Sequence, residues 1–199
     1  MNMFTKTQAS IMKLFVGKIN QKFSIKEIAE ILKKPYPLIH RSIKSLLQQE
    51  FILKDDKYFL SLNYKENNAE LAYIESLRSK DALTKDKTLS LFLKDVSDKS
   101  KLDFFVFVIF GSHVEKNNSR DIDVLFIIED EKKVNEAEKT LVNLALHFTK
   151  HFEIQVISVE SAYEMLSKRD KINILNETLN NHILLFGAEN YYRILKNAR

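Results

Sequence analysis

Phe105-Val106-Phe107-Val108-Ile109-Phe110-Gly111-Ser112 and, after a short polar loop, Asp121-Ile122-Asp123-Val124-Leu125-Phe126-Ile127-Ile128 decide how the rest of the chain is read. Each is an apolar run of strand length. The first ends on a Gly-Ser pair, one of only three glycines in the chain. The second opens with two aspartates two positions apart. Alternate residues of a strand share a face, so Asp121 and Asp123 point the same way. Adjacent carboxylates repel unless a proton or a cation lies between them. A pair of divalent ions is the common solution where phosphoryl groups are transferred. Gly111 at a strand end lets backbone come close to a phosphate, and Ser112 adds a hydroxyl donor. An isolated Asp-x-Asp at a strand end is usually only polar surface. Two apolar strands joined by a Gly-Ser turn make that reading much the weaker one here.

This constellation resembles the nucleotidyltransferase superfamily of the DNA polymerase β type, most closely its minimal nucleotidyltransferase branch. The family signature is an apolar residue, Gly, then Gly or Ser, a loop, and Asp-apolar-Asp-apolar. It stands here as Phe110-Gly111-Ser112, the loop His113 to Arg120, and Asp121-Ile122-Asp123-Val124. The resemblance implies a small mixed sheet and a nucleoside triphosphate substrate. It also implies two Mg²⁺ ions on Asp121 and Asp123, with Gly111 and Ser112 fixing the β- and γ-phosphates. The family carries a third carboxylate on a later strand. Phe152-Glu153-Ile154-Gln155-Val156-Ile157 is the candidate, with Glu153 and Gln155 on one face. Glu153 is the acid, and would serve as metal ligand and catalytic residue. Gln155 is the better match by its place before the following helix.

The 199 residues suffice for one large domain or two small ones. No apolar run reaches the length of a membrane span, and Met1 to Ser10 lacks the apolar segment of a signal peptide. The absence of cysteine excludes disulfides and thiolate zinc sites. A cytoplasmic protein with no membrane partner is the expectation. Charge is uneven. Residues 1–64 hold 11 Lys/Arg against 5 acids, a net +6 that leaves −2 for the remainder. A basic first third suits an acidic partner.

That first third has a pattern of its own. Thr5 to Gly17 reads as a helix. Ser24-Ile25-Lys26-Glu27 matches a capping box, with Glu27 reaching back to the capping serine. Pro35 and Pro37 frame a turn. Ile39, Ile43, Leu46 and Leu47 then give a helix over 37–49 one buried face. Phe51 to Lys54 and Lys57 to Leu62, around Asp55-Asp56, read as a hairpin. This order resembles the winged helix-turn-helix of prokaryotic regulators. The resemblance implies that DNA is met by His40, Arg41 and Lys44 on the third helix, Tyr36 near its start, and Lys54 and Lys57 on the wing. Winged helices also dock proteins, so a protein partner at this end is the competing expectation.

The expected architecture is α+β. Residues 1–64 form a winged helix-turn-helix and 65–87 a helical linker. Residues 88–199 form a nucleotidyltransferase-like domain with a small mixed sheet. In that domain helices are expected over Val134–Phe148 and Lys171–Asn180, and strands over Phe152–Val159 and Ile183–Phe186. Gly187 makes the turn that starts a last helix. Two functions follow. One is a Mg²⁺-dependent transfer of NMP, with AMP favoured, from a nucleoside triphosphate to an acceptor. A DNA-binding arm would target or autoregulate it. Transferases of this branch occur as antitoxins that modify a partner toxin, which makes a protein acceptor one expectation. The other is a transcription regulator whose transferase-like domain binds nucleotide or a protein without catalysis. Regulators of the winged-helix type often form homodimers, but no interface stripe stands out.

Overall fold

The computed structural model describes residues 3–100, 102, 104–116, 121–168 and 173–198. The chain opens with three helices, α1 (Lys6–Gly17), α2 (Ile25–Leu32) and α3 (Tyr36–Gln48). Local chemistry sets their ends. Thr5 caps α1 and Ser24 caps α2, each in a reciprocal box closed by Gln8 and Glu27. Lys33 ends α2 in the left-handed region, and Pro35 caps α3 with Pro37 in its first turn. Ile39, Ile43 and Leu46 are the buried stripe of α3. A hairpin follows, β1 (Ile52–Lys54) paired antiparallel to β2 (Leu60–Leu62). Asp55 makes its turn by accepting from the N–H groups of Lys57 (3.1 Å) and Phe59 (2.9 Å).

Residues 65–87, expected as a helical linker, hold α4 (Asn68–Lys85). Asp86 is the reason for its end. It is the C-cap of α4 and also the N-cap of α5 (Lys87–Lys99), where its carboxylate accepts from Thr88 and Leu89 N–H. α4 packs on α1 at one side and on the later elements at the other.

Those elements are β3 (Phe105–Phe110), α6 (Ser112–Lys116), β4 (Asp121–Ile128), α7 (Val134–Ala145), β5 (His151–Ser158), α8 (Val159–Ser167), α9 (Ile174–Thr178), β6 (His182–Phe186) and α10 (Ala188–Asn197). The helix expected over 171–180 is thus the shorter α9, and Lys171 and Ile172 lie outside the described residues. The sheet order is β5-β4-β3-β6. β3 runs antiparallel to β4 and β6, and β4 runs parallel to β5, so the sheet is mixed. The chain is therefore α+β.

β3 is buried along its whole length because both sheet faces are covered. One face, with Phe107, Ile109, Ile122, Val124 and Phe152, packs against Leu89, Phe92 and Val96 of α5 and Leu141 of α7. Phe92 is its centre, with ring centroids 4.3 Å from Phe152 and 5.8 Å from Phe107. The other face, with Val106, Val108, Leu125 and Ile127, packs on α8 and α10. It is continuous with the core of the first three helices.

At that junction lies a buried polar network. Glu75 of α4 is fully buried and accepts from Arg78 (2.7 Å) and Tyr192 of α10 (3.0 Å). Arg78 is on Oε2, and His182 Nε2 of β6 lies 3.3 Å from Oε1, the oxygen that Tyr192 reaches. Arg78 also donates to the His182 carbonyl. The end of α1 leaves room for this guanidinium, since a Cβ on Gly17 would come within 2.7 Å of it. Among the described residues no helix is long and apolar enough to cross a membrane.

Candidate active site and nucleic-acid interface

β3 brings Gly111 to the start of β4. Gly111 has φ +69°, the left-handed region that a side chain disfavours, and a Cβ there would sit 2.2 Å from Asp123 Oδ2. The glycine is therefore needed twice, for its backbone and for the carboxylate against it. Its carbonyl accepts from Val114 N–H (3.2 Å) and from Asn181 Nδ2 (3.3 Å), which fixes the turn to the start of β6. Ser112 opens α6 and is exposed.

The parallel register of β4 and β5 pairs Asp121 with His151, Asp123 with Glu153, and Leu125 with Gln155. Asp121, Asp123 and Glu153 thus share a face, and Glu153 rather than Gln155 is beside the aspartates. Asp121 and Glu153 are exposed, and Asp123 is half-buried. Burial pushes the Asp123 carboxyl above the usual carboxylate range, and the nearby Glu153, Asp121 and Glu177 push it further. Glu177, on α9, is a contributor that sequence spacing could not reveal. His151 Nδ1 lies 3.4 Å from Asp121 Oδ1.

Oxygen donors of this kind suit a hard divalent cation such as Mg²⁺. Among the described residues no group of three or more His, Asp or Glu side chains is already gathered tightly enough to hold a metal ion. Arg120, a candidate phosphate neighbour in the loop, lies outside the described residues.

His113 is the second residue of α6 and reaches Asp86. It is 5 % exposed, with Nε2 3.4 Å from Asp86 Oδ2, which also accepts from Lys150 Nζ at 2.7 Å. Burial lowers the His113 pKa, as does Lys150, against the opposing pull of Asp86 and Asp123. Burial works to raise Asp86, but Lys150 and the N–H groups of Leu89 and Thr88 leave it below its ordinary range. Asp86 and Lys150 were not legible as site residues, because 64 positions separate them.

The first helices carry the second candidate surface. Tyr36, His40, Arg41 and Lys44 are exposed on α3, and Lys54 and Lys57 on the hairpin. Tyr36 and His40 stack with centroids 6.1 Å apart, and Lys54 Nζ lies 4.2 Å over the Tyr58 ring. Between α3 and the hairpin is a cleft of about 620 Å³ lined by Tyr36, His40, Lys44, Lys54, Tyr58 and Lys26. Arg41 and Lys57 lie outside its lining.

The chain finds no match among family models, curated proteins or solved structures.

Proposed function

We propose that the protein is a Mg²⁺-dependent nucleotidyltransferase of the polymerase β type, carrying a DNA-binding winged helix-turn-helix at residues 1–64. The observation that carries this reading is the convergence of Gly111, Asp123 and Glu153. A left-handed glycine turn packs on one carboxylate, and a strand register sets another acid beside it. Asp121, Asp123 and Glu153 hold the Mg²⁺, which when bound offsets the charge of a nucleoside triphosphate. The Gly111 backbone and the Ser112 hydroxyl receive the β- and γ-phosphates. Glu153, open to solvent at the sheet edge, completes the acid set and helps take the acceptor hydroxyl's proton. AMP is the favoured group transferred, and a protein such as a partner toxin is one acceptor class.

Calorimetric titration with Mg·ATP tests the site. Magnesium-dependent binding is expected, and Asp121→Asn/Asp123→Asn is expected to lose it. The variant should also be more resistant to urea than the parent at pH 7. The folded-state pKa of Asp123 is raised, so the folded chain holds that proton more tightly than the unfolded chain does. Ionisation at neutral pH therefore costs stability, and asparagine removes the cost. The gap should close as pH falls through the raised range towards the ordinary value of 3.8. Binding lost while stability rises cannot be unfolding.

The absence of a ready group of three ligands among the described residues favours a second reading, a DNA-binding regulator whose transferase-like domain is inactive. No magnesium-dependent binding of any of the four common triphosphates would select it.

The DNA-binding arm rests on the exposed cations of α3 and the hairpin over a buried apolar stripe. Affinity for duplex DNA should fall with salt, and Arg41→Ala/Lys44→Ala should reduce the log–log salt slope by about 2. Affinity independent of salt would instead favour protein docking at this face.

A further inference from the structure

A pocket of about 410 Å³ opens on the sheet face opposite the carboxylates, between α4, α5, β3 and β6. Ile109, on its floor, belongs to the cluster of Ile122 and Val124, whose side chains alternate with that of Asp123. The volume falls within the roughly 300–1,000 Å³ of small-molecule sites. Leu89, Ile109 and Ile183 make an apolar floor, and Lys85, Lys87 and Lys150 stand at the rim with Asp86. Three lysines against one aspartate leave two positive charges in excess.

The single acid is already engaged. One Asp86 oxygen accepts from Thr88 N–H (2.9 Å) and Leu89 N–H (3.3 Å), and the other from Lys150 (2.7 Å). Lys150 is thereby held in place, with its side chain 28 % exposed. Lys85 and Lys87 are exposed and form no ion pair among the described residues. A cationic rim over an apolar floor suits an anion with an apolar body.

We propose that this pocket is a second small-molecule site, taking a phosphorylated ligand of mononucleotide size. Its phosphate lies among Lys85, Lys87 and Lys150, and its base rests on Ile109 and Ile183. Inorganic phosphate alone would leave the floor unused. The site does not depend on nucleotidyl transfer, but it adjoins the turn that the transfer would use. His113 directly follows Ser112 and reaches Asp86. A phosphate that draws Lys150 from Asp86 changes the partners of His113 and reaches Gly111–Ser112 through the backbone.

The test is amide NMR of the full chain, without Mg²⁺, titrated with AMP and separately with inorganic phosphate. AMP should shift the amides of Thr88, Leu89, His113 and Ile183. Lys85→Ser/Lys87→Ser removes side chains that bear no ion pair, so folding is retained, and it should weaken AMP about tenfold. Asp121→Asn/Asp123→Asn should bind AMP as the parent does, and phosphate should bind at least about tenfold more weakly than AMP. Shifts confined to residues 111–123 or lost in the aspartate variant would overturn the proposal. So would equal affinity for phosphate and AMP, or no shift at millimolar AMP.

Discussion

Gly111→Ala is expected to lower Mg·ATP binding and any transfer by about a hundredfold, the cost of displacing a reacting group by an ångström. The added Cβ would stand 2.2 Å from Asp123 Oδ2 and 3.1 Å from its Cγ. Contacts that short do not persist, so the Asp123 carboxylate must swing off the face it shares with Glu153. The backbone adds its own penalty, because φ +69° costs a non-glycine residue roughly 1–2 kcal/mol. The two effects separate in a cycle with Asp123→Ala. In that background the alanine at 111 meets no carboxylate, and urea unfolding should report the backbone penalty alone. Equal destabilisation in both backgrounds would mean that Asp123 rearranges freely, and the turn would then have no claim to position it. Ser112→Ala is the contrast. It removes one exposed hydroxyl and leaves the carboxylates in place, so its effect should be confined to phosphate affinity.

How far this site could be read in advance follows from the range over which each part is specified. Gly111, Asp121 and Asp123 lie within one hairpin-like unit, where strand alternation and a glycine at a strand end are local properties. The third acid was ambiguous between Glu153 and Gln155, because a parallel pairing is set by the crossover through α7 and by packing. The register places Glu153, not Gln155, opposite Asp123. The start of α2 was legible because a capping box marks it at Ser24. The double role of Asp86, which ends α4 and caps α5, was not. Least legible were groups joined over long separations. Asp86 with Lys150, and Glu75 with His182 and Tyr192, are polar residues whose partners only the fold supplies. The residue pattern in α4 marks Leu71 and Ile74 as core, but nothing local distinguishes Glu75 from a solvated glutamate.

Glu75→Ala is expected to destabilise the whole chain by about 3–5 kcal/mol, since breaking a buried pair leaves the other charge uncompensated. Arg78 would remain with its side chain only 13 % exposed, and Tyr192 would lose its acceptor. Burial opposes ionisation of Glu75, but Arg78, then His182 and Tyr192, overcome it and hold the carboxyl below the ordinary 4.5. A depressed acid contributes stability above its unfolded value and loses it as pH falls through the folded one. The difference between parent and variant should therefore be full at pH 7 and shrink below about pH 4.5. Urea unfolding across that range is the measurement, and a gap that grows in acid would contradict the assignment. Should Glu75→Ala prove too unstable to purify, Glu75→Met/Arg78→Met supplies the other arm. Removing both charges for apolar side chains of similar volume should recover most of the loss, as it does for buried pairs elsewhere. Because the network joins α4, β6 and α10 beside the end of α1, its loss loosens the seam between the first three helices and the sheet. Probes in the two halves, with labels at the exposed Tyr36 on α3 and Leu91 on α5, should unfold together in the parent. They should separate in Glu75→Ala, where the continuous core is the remaining tie.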